Sequence, residues 1–180
     1  HLGHPTRYWN PKISVYTYGI RDGIRLLDLI KTCRQLGEAR EFLRRIKRYG
    51  KNILFIGTKA QAKQTIKERA QASQSFFVRE RWLGGILTNW STVQRSLLQL
   101  HRLEREKEKS TWTLLSKKNA TFLRKRLEQL ECYFGGLKGI QTTPDLVVVV
   151  GQITELVRIR ECRKLKIPII CRLDTDCDPS

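Results

Sequence analysis

Methionine is missing from all 180 residues, position 1 included, so we expect a processed or trimmed piece of a longer product. Acidic side chains are scarce beside basic ones, 17 Asp and Glu against 35 Lys and Arg, which leaves a formal charge of +18. Cysteine occurs five times but never as a C-x-x-C pair. The odd, scattered set favours free thiols in a reducing compartment over a disulfide framework. No apolar run approaches the roughly eighteen residues of a membrane-spanning helix, and no secretory signal is visible. Phosphate-binding fingerprints are also absent. Neither G-x-x-x-x-G-K-S/T nor G-x-G-x-x-G opens the helix after the first buried strand. Gly57-Thr58-Lys59 is the nearest approach there, and alone it is too weak to support a nucleotide-binding enzyme.

What is abundant is base. A charge this large repels itself unless an anionic partner neutralises it. Residues 1–90 carry +12 of the +18. Nucleic acid is the commonest such partner and anionic membrane the next, and this chain points to nucleic acid, with no membrane partner.

Taken in order, residues 1–12 interleave Tyr8 and Trp9 with Arg7 and Lys12, and Pro5 and Pro11 break any helix begun there. They read either as an extended arm on RNA or as a packed strap. His1 and His4 lack a cysteine or third histidine nearby, so no metal is assigned to them. Asp22-Gly23 between alternating apolar runs predicts a β-hairpin. From about Lys31 to Tyr49 the spacing of Leu36, Ala39, Phe42, Leu43 and Ile46 predicts a helix whose end concentrates Arg44, Arg45, Lys47 and Arg48. Ile53–Ile56, a helix over about 60–73 and Phe76–Val78 form a βαβ unit. Leu146–Val150, a helix over 154–165 and Ile169–Leu173 supply a second. Between the two units, apolar stripes over 90–109 and 116–134 predict an antiparallel helical hairpin, with Trp112 at its tip. Asp174, Asp176 and Asp178 follow the last strand and read as a polar turn, without the glycine and distal glutamate of a calcium loop.

The stretch Arg79 to Trp90 joins strand to hairpin. Gly84 and Gly85 permit positive φ or close backbone approach, and Trp82 and Trp90 suit a semi-buried joint. Arg79 and Arg81 alternate at the strand end and can share one side. A packed corner and a rigid basic corner docked on nucleic acid are both open on these residues alone.

The stretches His1-x-Gly3-His4, Arg7-x-Trp9-Asn10-Pro11, Ile53 to Lys59, and Arg81-Trp82-Leu83-Gly84-Gly85-x-Leu87-Thr88-Asn89-Trp90 together resemble the bacterial and organellar family of small-subunit ribosomal protein number two. Gly135-Gly136, Pro144-Asp145, Ile167-Pro168 and Asp174-Thr175-x-x-Asp178-Pro179 continue the match in the same order. The resemblance implies a parallel-sheet α/β sandwich with Rossmann-like layers, carried by residues 1–89 and 135–180, and a protruding antiparallel coiled-coil hairpin over 90–134. It also implies binding of small-subunit rRNA at the junction of head and body on the solvent side. Expected partners are that rRNA and neighbouring small-subunit ribosomal proteins, with ribosomal protein number one as a bacterial candidate. A chloroplast ribosome is the expected location, with a bacterial cytoplasm as the alternative. Further segments before His1 and after Asp178 belong to the family pattern. Two positions depart from it, Lys166 where a glycine is usual and Gly151 where an acid is common.

No catalytic residue, metal or cofactor is assigned, and no homo-oligomer is expected. Glu80 and Asp28 stand alone as acids, and His101 sits on a charged helix face. An RNA-acting α/β enzyme such as a methyltransferase is the alternative; it needs a cofactor loop and a catalytic group in a pocket. The residues expected at RNA are Arg7, Trp9, Asn10, Lys12, Arg44, Arg45, Lys47, Arg48, Lys59, Arg79, Arg81 and Asn89. Trp82, Gly84, Gly85 and Trp90 are expected to build the corner.

Overall fold

The computed structural model describes residues 2–179, and the side chains of all of these but Thr111 and Thr113. His1, one of the two histidines weighed as ligands, lies outside the described residues. The chain begins with β1 (Leu2–Pro5), two short 3-10 turns, β2 (Thr17–Arg21) and β3 (Ile24–Leu27). Asp22 and Gly23, with φ of 51° and 74°, make the two-residue turn between β2 and β3, and the matched right-handed twist of such turns explains the hairpin. The sequence does not announce the third strand. β1 pairs antiparallel with β3, so the order is β1-β3-β2 and residues 2–5 are a packed strap, not a free arm.

Helix α1 (Leu29–Arg48) starts two residues earlier than its apolar period suggests, because the Asp28 carboxylate caps it by accepting from the N–H groups of Ile30 and Lys31. Ala39, Phe42, Leu43 and Ile46 are half-buried, but Leu36, expected on the same stripe, is 68 % exposed. The helix rests on the body only through its second half.

Strand β4 (Ile53–Ile56), helix α2 (Ala60–Ala72) and strand β5 (Phe76–Val78) form the first βαβ unit. After the corner come α3 (Trp90–Glu108), a 3-10 turn at Thr111–Leu114 and α4 (Lys117–Phe134). Then β6 (Leu146–Val150), α5 (Leu156–Lys164) and β7 (Ile169–Arg172) close the chain. The four strands β4 to β7 are all parallel, in the order β5-β4-β6-β7. Leu54, Ile56, Val147 and Val149 in the two central strands are fully buried, as continuous apolar runs covered on both faces require. Lys166 takes φ of +56° at the end of α5, so the left-handed cap that glycine usually supplies forms here on a lysine.

The hairpin helices are antiparallel. Val93, Leu97, Leu100 and Leu103 of α3 face Leu127, Leu130 and Phe134 of α4. Ser116 caps α4 through its hydroxyl, which accepts from the Asn119 N–H. Trp112 is buried, and its Nε1–H donates back to Glu106 at 3.5 Å, so it closes the tip against α3. The apolar seam of the hairpin is continuous with Ile86, Leu87 and the sheet residues Val78 and Leu54 in a single core cluster.

Candidate nucleic-acid interface

Strand β5 ends at Val78, and the backbone then runs without regular structure to the turn at Gly84–Asn89. One side chain holds that corner in place. Glu161, on α5, accepts from Trp82 Nε1–H (3.0 Å), from the Gly85 N–H (2.8 Å) and from the Leu87 N–H (3.2 Å). Gly85 adopts φ of +88°, where a Cβ is strongly disfavoured. Gly84 does not share that need. Its φ lies outside the left-handed region and, its chain neighbours aside, no atom lies within 4 Å of where a Cβ would stand, which corrects the expectation that both glycines serve the turn. Trp82 is buried and Trp90 half-buried, as a joint requires.

Behind the corner lies the crevice between β4 and β6, where the strand order reverses and α/β proteins hold their ligands. Here the protein's own acid fills it. Glu155 is fully buried, accepts from Thr58 N–H (3.0 Å) and Oγ1–H (2.7 Å), and pairs with Arg158. The Arg158 guanidinium also lies 5.7 Å from the Trp82 ring centre. Burial lowers its pKa, and Glu161 works in the opposite direction. A phosphate entering this crevice meets a carboxylate, so the site is unsuited to an anionic cofactor. Burial pushes the thiols of Cys162 and Cys171 up to about 11, so both are protonated at neutral pH and poor nucleophiles.

The basic residues fall at two opposite ends of the sheet. Lys59 follows β4, and Arg79 and Arg81 follow β5, all at the carboxyl ends of the strands. Arg81 and Lys59 are exposed; Arg79 is half-buried with its Nε 3.9 Å from Glu80, which Lys63 also approaches at 2.5 Å. Asn89 is exposed, and its Oδ1 accepts from the Ser91 and Thr92 hydroxyls. At the amino ends stand Arg44, Arg45, Lys47 and Arg48, all exposed, with Lys47 Nζ donating to the Gln74 carbonyl just before β5. The two clusters therefore do not form one surface.

The N-terminal candidates are more engaged than an RNA-binding arm suggests. Arg7 is exposed, 4.6 Å from the Tyr8 ring centre. One face of Trp9 is covered by the Arg25 guanidinium at 3.2 Å. Asn10 caps the following 3-10 turn by accepting from Lys12 N–H, while its own N–H donates to the Thr175 carbonyl. Lys12 pairs with Asp178 at 2.8 Å.

The same strap brings His4 between two of the three aspartates after β7. Nδ1 lies 3.5 Å from Asp174 and Nε2 3.6 Å from Asp176. Thr175, fully buried, accepts the His4 N–H on its hydroxyl at 2.7 Å and fixes the loop. An imidazolium would be paired there from both sides, and these donors are also the set among the described residues that could hold a divalent cation. Sequence alone weighed each half separately and assigned metal to neither, since the partners are about 170 residues apart.

With this geometry in hand, comparison with known proteins is decisive. The family described as Ribosomal protein S2 matches residues 1–180. This chain belongs to that family. Among S2 relatives, the small ribosomal subunit protein uS2 of Trichormus variabilis is 45 % identical over 179 residues, covering 99 % of this chain and 68 % of the relative. The uS2 of Microcystis aeruginosa is 49 % identical over 179 residues, with the same coverage of each. The uS2c of Mesostigma viride is 45 % identical over 180 residues, covering 100 % of this chain and 79 % of its own. S2 proteins of both bacterial and chloroplast ribosomes are thus among the relatives. The S2 family is a structural one, and the enzyme alternative gives way to it.

The sequence missed Glu161 and Arg25. Glu161 is an acid among the bases of Arg158-Ile159-Arg160-Glu161-Cys162-Arg163, and that local contrast is the one signal it offers.

Proposed function

We propose that this chain is a structural, non-catalytic constituent of the small ribosomal subunit that binds small-subunit rRNA through exposed Lys and Arg. Membership of the S2 family along the whole chain carries this reading, and a charge of +18 supports it. Each phosphate neutralised releases counterions, so basic side chains supply affinity while amide and hydroxyl groups fix register. Of the two basic ends, the carboxyl-end surface of Lys59, Arg79 and Arg81 is the favoured one. It stands next to the corner that Glu161 holds rigid. Docking at the head–body junction on the solvent side, in a plastid or bacterial ribosome, belongs to the same proposal. So does contact with neighbouring small-subunit proteins. Filter binding of small-subunit rRNA by Arg79→Gln/Arg81→Gln tests the surface. Affinity should fall, and the slope of log K against log salt should shrink by about one for each phosphate that is no longer neutralised. Unchanged affinity and slope would move the surface to Arg44, Arg45, Lys47 and Arg48.

A further inference from the structure

A groove of about 280 Å³ opens where the corner meets the root of the hairpin. Its floor is apolar, formed in part by Ile86 and Leu130, and the Tyr133 ring stands on its wall. Its rim is neutral amide and hydroxyl: Asn89 and Ser96 from one side, Gln129 from the other. Among the described residues no carboxylate lines it, and the one formal charge is Arg126. That guanidinium is held by Gln129 Oε1 at 3.1 Å and Gln99 Oε1 at 3.3 Å, two uncharged acceptors that position the cation without neutralising it. Three of the five acids of the hairpin are engaged elsewhere, Glu104 and Glu131 with Lys138 and Glu106 with Arg102, and the other two, Glu108 and Glu128, are exposed and do not line the groove.

Gly84 lies on the same groove and has no use within the protein. It needs no positive φ and relieves no crowding inside the fold, since a Cβ there would meet nothing. A glycine of that kind has a purpose where another backbone comes close from outside.

We propose that this groove receives one unstacked nucleotide of the RNA, its base against Tyr133 and the apolar floor, its phosphate beside Arg126 and Gly84. The proposal rests on the rRNA-binding reading. RNA fits better than a peptide because the sole charge is a fixed cation and the rim offers amide and hydroxyl groups of the kind that bind sugar, phosphate and base edges. Aromatic stacking is tolerant of base identity, so the groove selects an extruded nucleotide and not a particular base.

The test uses the full chain and small-subunit rRNA, with an unrelated RNA of equal length as competitor. Gly84→Val should leave the thermal midpoint unchanged and weaken rRNA binding about tenfold with the salt slope intact. Arg126→Gln should weaken binding and lower the slope by roughly one. Tyr133→Leu should cost at least fivefold, within the range for removal of a stacked base. If Gly84→Val fails to fold, Arg126→Gln and Tyr133→Leu decide. Failure of the unaltered chain to prefer rRNA over the competitor would sink the rRNA reading itself. Preference retained, with all folded variants binding like the parent, would overturn the groove proposal alone. Unchanged rRNA binding with loss of incorporation into the subunit would also overturn it and assign the groove to a protein neighbour.

Discussion

Removing the Glu161 carboxylate should cost more than any other single surface-accessible change in the corner. Three N–H groups converge on it, from Trp82, Gly85 and Leu87. Hydrogen bonds to a charged acceptor contribute about 1.5–3 kcal/mol each, and donors left unpaired lose their solvation as well. The site is only half-buried, so water recovers part of this, and Glu161→Ala should cost about 3–5 kcal/mol. Glu161→Gln keeps one acceptor oxygen and turns the other into a donor, so one hydrogen bond fails and about 1–2 kcal/mol is lost. Against a total stability of roughly 5–15 kcal/mol, the alanine variant stands near the edge of folding. Urea unfolding followed by both tryptophan fluorescence and far-UV circular dichroism measures this. With a slope of about 2 kcal/mol/M, the midpoint should fall by about 1.5–2.5 M at constant slope. An alanine variant within about 0.5 kcal/mol of the parent would refute the claim that Glu161 holds the corner.

Three further outcomes follow from particular groups. Burial opposes charge on the Asp145 carboxylate, but the Asn52 N–H and Lys51 outweigh it and hold its pKa below the ordinary 3.8. A depressed folded-state pKa gives stability that is present above pH 3.8 and lost as pH falls through the lowered value. Asp145→Asn should therefore cost about 1 kcal/mol at neutral pH and flatten the acid limb of the stability–pH curve. Lys166→Gly should raise stability by up to about 1 kcal/mol by relieving a lysine at φ of +56°, and a lower thermal midpoint would contradict that. We also propose that residues 90–134 are an appendage to a body formed by 1–89 and 135–180. Because Val93 and Phe134 share the body's core cluster, a Gly/Ser linker should replace only the outer turns of the hairpin with cooperative unfolding retained. Loss of the cooperative transition would make the hairpin part of the foundation.

The fold was legible where one local signal sufficed. Continuous apolar runs at Ile53–Ile56 and Leu146–Val150 mark strands covered on both faces, and the Asp22-Gly23 pair marks its hairpin. The seam of Leu97, Leu100 and Leu127 marks the hairpin helices. Burial on α1 was not legible, because an apolar stripe states what a helix could cover, and Leu36 is left mostly exposed. The site was legible as a region and not as a mechanism. Trp82 and Gly85 stood out by type, yet what holds them is Glu161, which lies about 75 residues away in sequence. Likewise, His4 and Asp174 meet only because β1 joins a sheet edge that no local pattern reveals. Residue type shows which groups can do chemistry, whereas pairing between distant segments decides which of them are already engaged.

Cosedimentation with small ribosomal subunits depleted of their own S2-family protein, across a salt series, tests the central claim most directly. The account predicts stoichiometric incorporation at low salt, displacement as salt rises with a log–log slope set by the phosphates neutralised, and retention against excess unrelated RNA. A chain that stays in the supernatant at every salt concentration, or that unrelated RNA removes as readily as salt does, would contradict it.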